Sequence, residues 1–315
     1  MSNAILLAIT GWNPTEWVER FRAQAPERDI RAWPDIGDAS DIAYACAWKA
    51  PHGIFAGLPR LKAIFSLGAG VDHLMGDPEL PAVPIVRIVD PDLTRRMTEY
   101  VVLHVLLHHR RMKLFEKQQR ERLWRDHHQP AAREVAVGVM GLGVLGCDAA
   151  AMLVRLGFRV AGWSRTPRAL DGVESFHGEA GLDAFLARTE ILVCLLPHTP
   201  ATEAIINLAL LRRLKRDGAL GGAYLINAGR GRLQVNADIL TALNEGLLAG
   251  ASLDVFPSEP LPPEEPLWRH PHVIITPHNA AESDPRALVS NVLEQIARLE
   301  NGKPLQNVID RELGY

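Results

Sequence analysis

Short apolar runs alternate along the chain with stretches whose apolar residues recur at helical spacing, the pattern of parallel strands joined by crossover helices. In the first third the strand-like runs fall at residues 5–9, 42–47, 63–67 and 85–89, with an amphipathic stretch over 16–24 between the first two. The later two lead into turn residues, Gly68-Ala69-Gly70 and Asp90-Pro91-Asp92. A long helix is expected over 93–122, apolar around Val101, Val102, Val105 and Leu106 and increasingly charged afterwards; 124–133, with His127-His128 and Pro130, reads as a loop. A second series of runs follows at 135–140, 159–163, 191–196, 224–226, 251–256 and 273–276. The pattern closes with a helix over 286–300, whose Leu288, Val289, Val292, Leu293, Ile296 and Leu299 form one stripe before the stop at Gly302. The prolines at 257, 260, 262, 263 and 266 mark a single rigid loop.

Composition narrows the class. A chain of 315 residues suggests two domains at roughly 100–200 residues each. With 47% hydrophobic and 23% charged residues it is an ordinary globular composition. A net charge of −3 offers no electrostatic footprint for nucleic acid or for an anionic membrane, so neither is expected as a partner. Cys46, Cys147 and Cys194 lie far apart, which excludes a disulfide framework and points to a reducing, cytoplasmic compartment. The N-terminus lacks a basic region and reads as a first buried strand, not a signal peptide. No apolar run reaches the roughly 18 residues that a membrane span needs.

Gly141-Leu142-Gly143-Val144-Leu145-Gly146 is a G-x-G-x-x-G that follows an apolar strand and opens a helical stretch over 144–156. That context is what a dinucleotide fingerprint requires. Gly141 permits the tight turn, Gly143 lets backbone approach a pyrophosphate, and Gly146 lets helix and strand pack closely. The helix N-terminus then offers N–H groups to phosphate. An NAD site carries an acid about 20 residues after the motif begins; this chain has Ser164-Arg165-Thr166-Pro167-Arg168 and no acid before Asp171. Two guanidiniums and two hydroxyls suit a 2′-phosphate, so NADPH is the cofactor expected, in preference to NADH.

Three further segments put polar residues just past apolar runs: Asn227-Ala228-Gly229-Arg230-Gly231, Asp254-Val255-Phe256-Pro257-Ser258-Glu259-Pro260, and Thr276-Pro277-His278-Asn279. Ligands of open α/β sheets bind outside the carboxyl ends of strands. Arg230, Glu259 and His278 are therefore expected to converge there as carboxylate clamp, imidazole partner and proton donor for ketone reduction. An imidazole's ordinary pKa of about 6.5 suits that work near neutrality.

These motifs, with Ala63-Ile64-Phe65-Ser66-Leu67-Gly68-Ala69-Gly70-Val71-Asp72, Leu195-Leu196-Pro197-His198-Thr199-Pro200 and the terminal Gly314-Tyr315, resemble those of D-isomer-specific 2-hydroxyacid dehydrogenases. Within that family the chain is most similar to the glyoxylate/hydroxypyruvate reductase A branch, along essentially its whole length. The resemblance implies an α/β fold of two doubly wound parallel-sheet domains. A flavodoxin-like substrate domain would span 1–92 plus 282–315, and a Rossmann NAD(P)-binding domain would span 93–281. It implies NADPH-dependent reduction of small 2-oxo acids, glyoxylate to glycolate and hydroxypyruvate to D-glycerate, by a homodimer paired through the long helix. His278 becomes the acid/base, Glu259 its partner and Arg230 the substrate-orienting cation. Trp48, Ala69, Gly70 and Arg230 would contact the substrate. The cofactor would be held by Gly141, Gly143, Val144, Leu145, Gly146, Ser164, Arg165, Thr166, Arg168, Leu196, Pro197, Asn227, Ala228, Gly229 and Asp254. Two places depart from the family pattern: a longer segment over 216–223, and Asn279 directly after the histidine.

His104 and His108 share a helix face beside His109, as metal ligands could, but Val105 breaks the H-E-x-x-H pattern and no acid supplies a third ligand. Packing or an interface accounts for them, and no metal is expected. Two alternatives stay open at this point: a bulkier 2-oxo acid as substrate, and a dinucleotide-sensing regulatory protein of the same fold.

Overall fold

The structure is a computed structural model that describes residues 3–68, 70–282 and 284–315. The chain divides into two compact units, Met1–Leu93 with Ser283–Tyr315, and Thr94–Glu282. Its strands are β1 (Ala4–Ile9), β2 (Ile30–Ala32), β3 (Ile42–Trp48), β4 (Ala63–Ser66), β5 (Ile85–Val86), β6 (Ala136–Met140), β7 (Arg159–Ser164), β8 (Val173–His177), β9 (Ile191–Cys194), β10 (Ala223–Asn227), β11 (Leu248–Leu253) and β12 (Val273–Ile275). The helices are α1 (Pro14–Gln24), α2 (Asp72–Met75), α3 (Pro91–His109), α4 (Met112–Glu121), α5 (Val144–Arg155), α6 (Gly178–Leu186), α7 (Leu208–Leu211), α8 (Asn236–Asn244) and α9 (Pro285–Glu300).

In the first unit five parallel strands run in the order β2-β1-β3-β4-β5, the doubly wound order of flavodoxin-like sheets. All six residues of β1 are buried, which is why that strand is apolar throughout instead of alternating. Helices cover one face: α1 inserts Trp17 and Phe21, and α9 inserts Leu288, Val289, Val292 and Ile296. Both helices begin with an Asx cap followed by proline; Asn13 accepts from the Thr15 N–H (3.0 Å) and Asp284 from the Arg286 N–H (2.8 Å). The C-terminal tail then covers the sheet edge, where Val308 bridges Val86 and Arg311 donates to the carbonyls of Pro81 and Val83.

The second unit is a seven-stranded parallel sheet in the order β12-β11-β10-β9-β6-β7-β8. Counted from β6 this is the dinucleotide-binding order with one more strand at its far end, and its switch point lies between β6 and β9. Residues of α3 and α5 pack on one face, and those of α6, α7 and α8 on the other. Among the described residues no helix is long and apolar enough to cross a membrane.

Three features differ from the sequence pattern or fill its gaps. The helix expected over 93–122 is two helices, because Arg111 takes a left-handed conformation (φ 54°) and its N–H closes on the His108 carbonyl (3.1 Å). The apolar stripe of α3 is used up inside the unit, where Val101 and Val105 are wholly buried. Strand β8 gave no signal since most of its side chains stay in contact with water, as befits an edge strand. The longer segment over 216–223 wraps a buried carboxyl: Glu190 accepts from the Leu220 N–H (3.1 Å) and, at its other oxygen, from the Ala136 N–H (3.3 Å).

At the end of α9, Glu300 accepts from both terminal nitrogens of Arg28 (3.0 and 2.6 Å) and from Tyr44 Oη (3.2 Å). The hydrogen bonding from Arg28 holds its carboxyl below the ordinary carboxylate range. Stability from this group is therefore present above the unfolded value of about 4.3 and is lost as pH falls through the lower folded value. Glu300→Gln should cost about 0.5–1 kcal/mol at pH 7. Urea unfolding at a series of pH values should show the difference from the parent closing at the acid end.

Candidate active site

The turns leaving β6, β7, β9, β10, β11 and β12 carry the candidate residues of the second unit. Gly141 follows β6 directly with φ 109°, and a Cβ there would stand 2.9 Å from the Leu195 carbonyl. A Cβ on Gly146 would stand 1.9 Å from the Gly141 oxygen, so α5 starts hard against the turn. Gly143, the residue preceding α5, has open space around its α-carbon, and no side chain caps the helix. Val144 is exposed and Leu145 half-buried. The first N–H groups of α5 are thus left without a side-chain acceptor, as an anion site at a helix N-terminus requires.

At the end of β7, Ser164 Oγ donates to the Thr166 carbonyl (2.8 Å) and folds the turn that exposes Arg165, Thr166 and Arg168. Arg168 borders an open depression of about 450 Å³, with Leu170, Asp171, Val173 and Ser175 on its walls. It also reaches the first turn of α5 electrostatically: burial raises the Cys147 thiol pKa, and the Arg168 charge works against that rise. The residues present therefore fit a dinucleotide bearing an additional phosphate. After β9, Leu196 is buried and the Pro197 carbonyl accepts from Thr202 Oγ1 (2.8 Å).

Asn227 closes β10 wholly buried. Its oxygen accepts from the Gly229 N–H (3.1 Å), and its amide donates to Gln234 Oε1 (2.8 Å) and the Arg230 carbonyl (3.3 Å). That side chain shapes the turn of Ala228 and Gly229 from which half-buried Arg230 projects. Gly231 is in tight contact with the segment that follows β11, since a Cβ there would stand 1.9 Å from the Phe256 carbonyl oxygen. The Phe256 N–H donates to Glu259 Oε1 (3.0 Å), and Glu259 Oε2 holds His278 Nδ1 at 2.7 Å. A carboxylate there fixes the proton on Nδ1 and leaves Nε2 to exchange one with a ligand. The His278 side chain is 36% exposed, enough to meet one.

His278 itself is left-handed (φ 54°), and its N–H donates to the Asp254 carbonyl (2.8 Å). The Asp254 carboxyl, almost wholly buried, accepts from Thr276 Oγ1 (2.6 Å) and from the N–H groups of Asn279 (3.0 Å) and Ala280 (3.1 Å). Expected at the cofactor, Asp254 has its carboxyl engaged in shaping the histidine turn. Asn279 takes part through its backbone and leaves its side chain exposed.

Trp48, Gly68 and Gly70 belong to the first unit. Trp48 stacks on Trp12 (4.1 Å between centroids, 13° between planes) and lies over Gly68, where a Cβ would stand 2.3 Å from the indole. The Gly70 carbonyl accepts from Ser66 Oγ (2.9 Å); Ala69 lies outside the described residues.

The chain from residue 102 to 280 matches the family profile of the D-isomer specific 2-hydroxyacid dehydrogenase NAD binding domain. The chain belongs to the D-isomer specific 2-hydroxyacid dehydrogenase family. It is 42% identical to a glyoxylate/hydroxypyruvate reductase A of Escherichia fergusonii over 96% of this chain and 97% of that one. It is 49% identical to an NADPH-dependent glyoxylate/hydroxypyruvate reductase of Sinorhizobium meliloti, solved with NADP and sulfate (TM-score 0.94; 99% of this chain, 100% of that one). A family member from Xanthobacter autotrophicus, solved with NADPH and MES, is 42% identical (TM-score 0.94; 100% of both chains).

In this 2-hydroxyacid dehydrogenase the histidines of α3 are packing residues. His104 Nδ1 and His108 Nε2 both bond Ser252 Oγ (2.8 and 2.9 Å), and His109 Nε2 donates to the Pro130 carbonyl (2.8 Å). Burial pushes His104 down to about 4 and His108 to about 3. Among the described residues no group of His, Cys, Asp and Glu is placed to hold a metal ion. Sequence reasoning did not find the parts played by Gln234, the Phe256 N–H or the Thr276 hydroxyl. Thr276 belongs to the Thr276-Pro277-His278 segment, but nothing in its spacing discloses a bond to Asp254.

Proposed function

We propose that this protein reduces small 2-oxo acids, glyoxylate and hydroxypyruvate, with NADPH, and that His278 supplies the proton. The observation that carries the reading is the 2.7 Å pair of His278 and Glu259, built on the same sheet edge as the Arg230 turn and the glycine turn. NADPH, when bound, would supply hydride to the carbonyl carbon next to the substrate carboxylate. Charge then grows on the carbonyl oxygen, and protonated His278 donates to it from Nε2. Glu259 holds the Nδ1 proton and stabilises the imidazolium. Arg230 orients the substrate with a planar fork that a lysine lacks. Trp48, Ala69 and Gly70 complete the proposed set of substrate-contacting residues.

For the cofactor, Gly141, Gly143, Val144, Leu145 and Gly146 take the pyrophosphate. Ser164, Arg165, Thr166 and Arg168 take the ribose and its 2′-phosphate. Leu196, Pro197, Asn227, Ala228, Gly229 and Asp254 line or shape the remainder. Relatives described with NADP or NADPH support this choice. Residues 93–281 act as the cofactor domain, and 1–92 with 282–315 as the substrate domain. The enzyme works in the cytoplasm as a homodimer, a reading supported by the apolar side chains left exposed at Leu103, Met112, Leu123 and Trp124.

The deciding experiment is NADPH oxidation over a panel of 2-oxo acids. His278→Ala should lower kcat for glyoxylate by roughly 10²–10⁴-fold while NADPH binding persists, and near-parental turnover would end the assignment.

Arg165→Ala should raise the KM for NADPH about ten- to a hundredfold through lost charge-assisted hydrogen bonds and leave that for NADH nearly unchanged. Equal effects on the two cofactors would refute the phosphate assignment.

Light scattering at micromolar protein should return twice the chain mass. A monomer there would exclude the dimer.

A further inference from the structure

One face of α3 carries Tyr100, His104 and His108 at one-turn spacing, and the chemistry above uses none of them. All three are buried. Tyr100 Oη lies 2.9 Å from Thr276 Oγ1, which lies 2.6 Å from Asp254 Oδ1. The Tyr100 ring rests on the His104 ring (4.1 Å between centroids, 36° between planes). His104 and His108 then close on Ser252, which lies in β11 just ahead of Asp254.

The proton directions follow from the donor inventory. Asp254 meets N–H donors from Asn279 and Ala280 and accepts from Thr276 as well. The threonine hydroxyl has one proton and gives it to Asp254, so the phenol must donate to Thr276. Burial raises the Tyr100 phenol pKa and keeps it a neutral donor. The Ser252 hydroxyl likewise has one proton, which it gives to one imidazole while accepting N–H from the other. Burial keeps both imidazoles neutral above about pH 4, so this set of bonds is complete without any charge. The result is a continuous line from the middle of α3 to the turn in which His278 sits at φ 54°.

We propose that Tyr100 is a positioning residue for His278: anchored by His104 and His108 on Ser252, its hydroxyl holds Thr276 against Asp254 and so fixes the 276–280 turn that aims His278 Nε2. The proposal rests on His278 being the proton donor. A shift of about 1 Å in such a group costs up to about 10²-fold in rate, so a hydroxyl that touches no ligand can still be read in kcat.

Tyr100→Phe deletes the donor and keeps the ring. With NADPH and glyoxylate its kcat should fall about three- to tenfold, the effect of one net hydrogen bond, with the KM for NADPH unchanged. In a Thr276→Val background the same substitution should cause no further loss, because the line is already cut. In a His278→Ala background it should leave the residual turnover where it was, because its effect passes through the imidazole. A parental kcat in Tyr100→Phe overturns the proposal. So does an equal loss in the His278→Ala background, or a KM for NADPH that changes in step with kcat. Should His278→Ala alone turn over at the parental rate, the proton-donor reading itself falls, an outcome separate from these.

Discussion

Because the strands of the second sheet run parallel, their carboxyl ends fall on one edge, and the register makes that edge a straight row. Met140 pairs with Cys194, Cys194 with Asn227, Asn227 with Leu253, and Leu253 with Ile275. Each of these residues is the last of its strand, and the next residue opens a turn that carries chemistry: Gly141, Leu195, Ala228, Asp254 and Thr276. Neighbouring strands stand about 4.8 Å apart. The distance from the glycine turn to the histidine turn is thus set by hydrogen-bonded backbone. Side chains only finish what the ladder has placed.

Two carboxyls do different work on that edge. Glu259 turns one oxygen to the Phe256 N–H and the other to the ring of His278, so its partner side chain remains partly exposed and able to meet a ligand. Asp254 meets Thr276, Asn279 and Ala280, two of them through backbone N–H, and is itself buried. One carboxyl orients the imidazole and the other orients the turn that bears it. An acid facing a side chain has a role that sequence pattern can suggest. An acid facing backbone leaves no such trace, since any residue supplies an N–H.

That distinction explains what could be read from the sequence. Fully buried parallel strands such as β1 and β9 are apolar along their whole length, and the run is visible without a structure. The glycine turn was legible because its spacing follows from sterics: Gly146 has no room for a Cβ beside the Gly141 oxygen. The pairing of Glu259 with His278 was legible because each sits just past an apolar run. The break at Arg111 was not, because an αL residue between two helical patterns leaves their periodicity intact. Nor was the line from His108 to Thr276, whose members come from α3, β11 and the end of β12 and meet only in the folded sheet.

The histidine turn bears on whether the fold catalyses or merely senses a dinucleotide. A sensor needs the glycine turn and the basic loop after β7, and both would work with any residue at 278. A non-glycine residue in the left-handed region costs roughly 1–2 kcal/mol and persists where the surroundings over-determine it. At His278 they do so: its N–H is held by the Asp254 carbonyl, and the Asp254 carboxyl grips the residues on both sides. The ring so presented is paired at Nδ1 and stands 36% exposed. A ring paired at Nδ1 by a carboxylate and still partly exposed is equipped for proton transfer, which nucleotide recognition alone does not call for, and on that ground the turn favours catalysis.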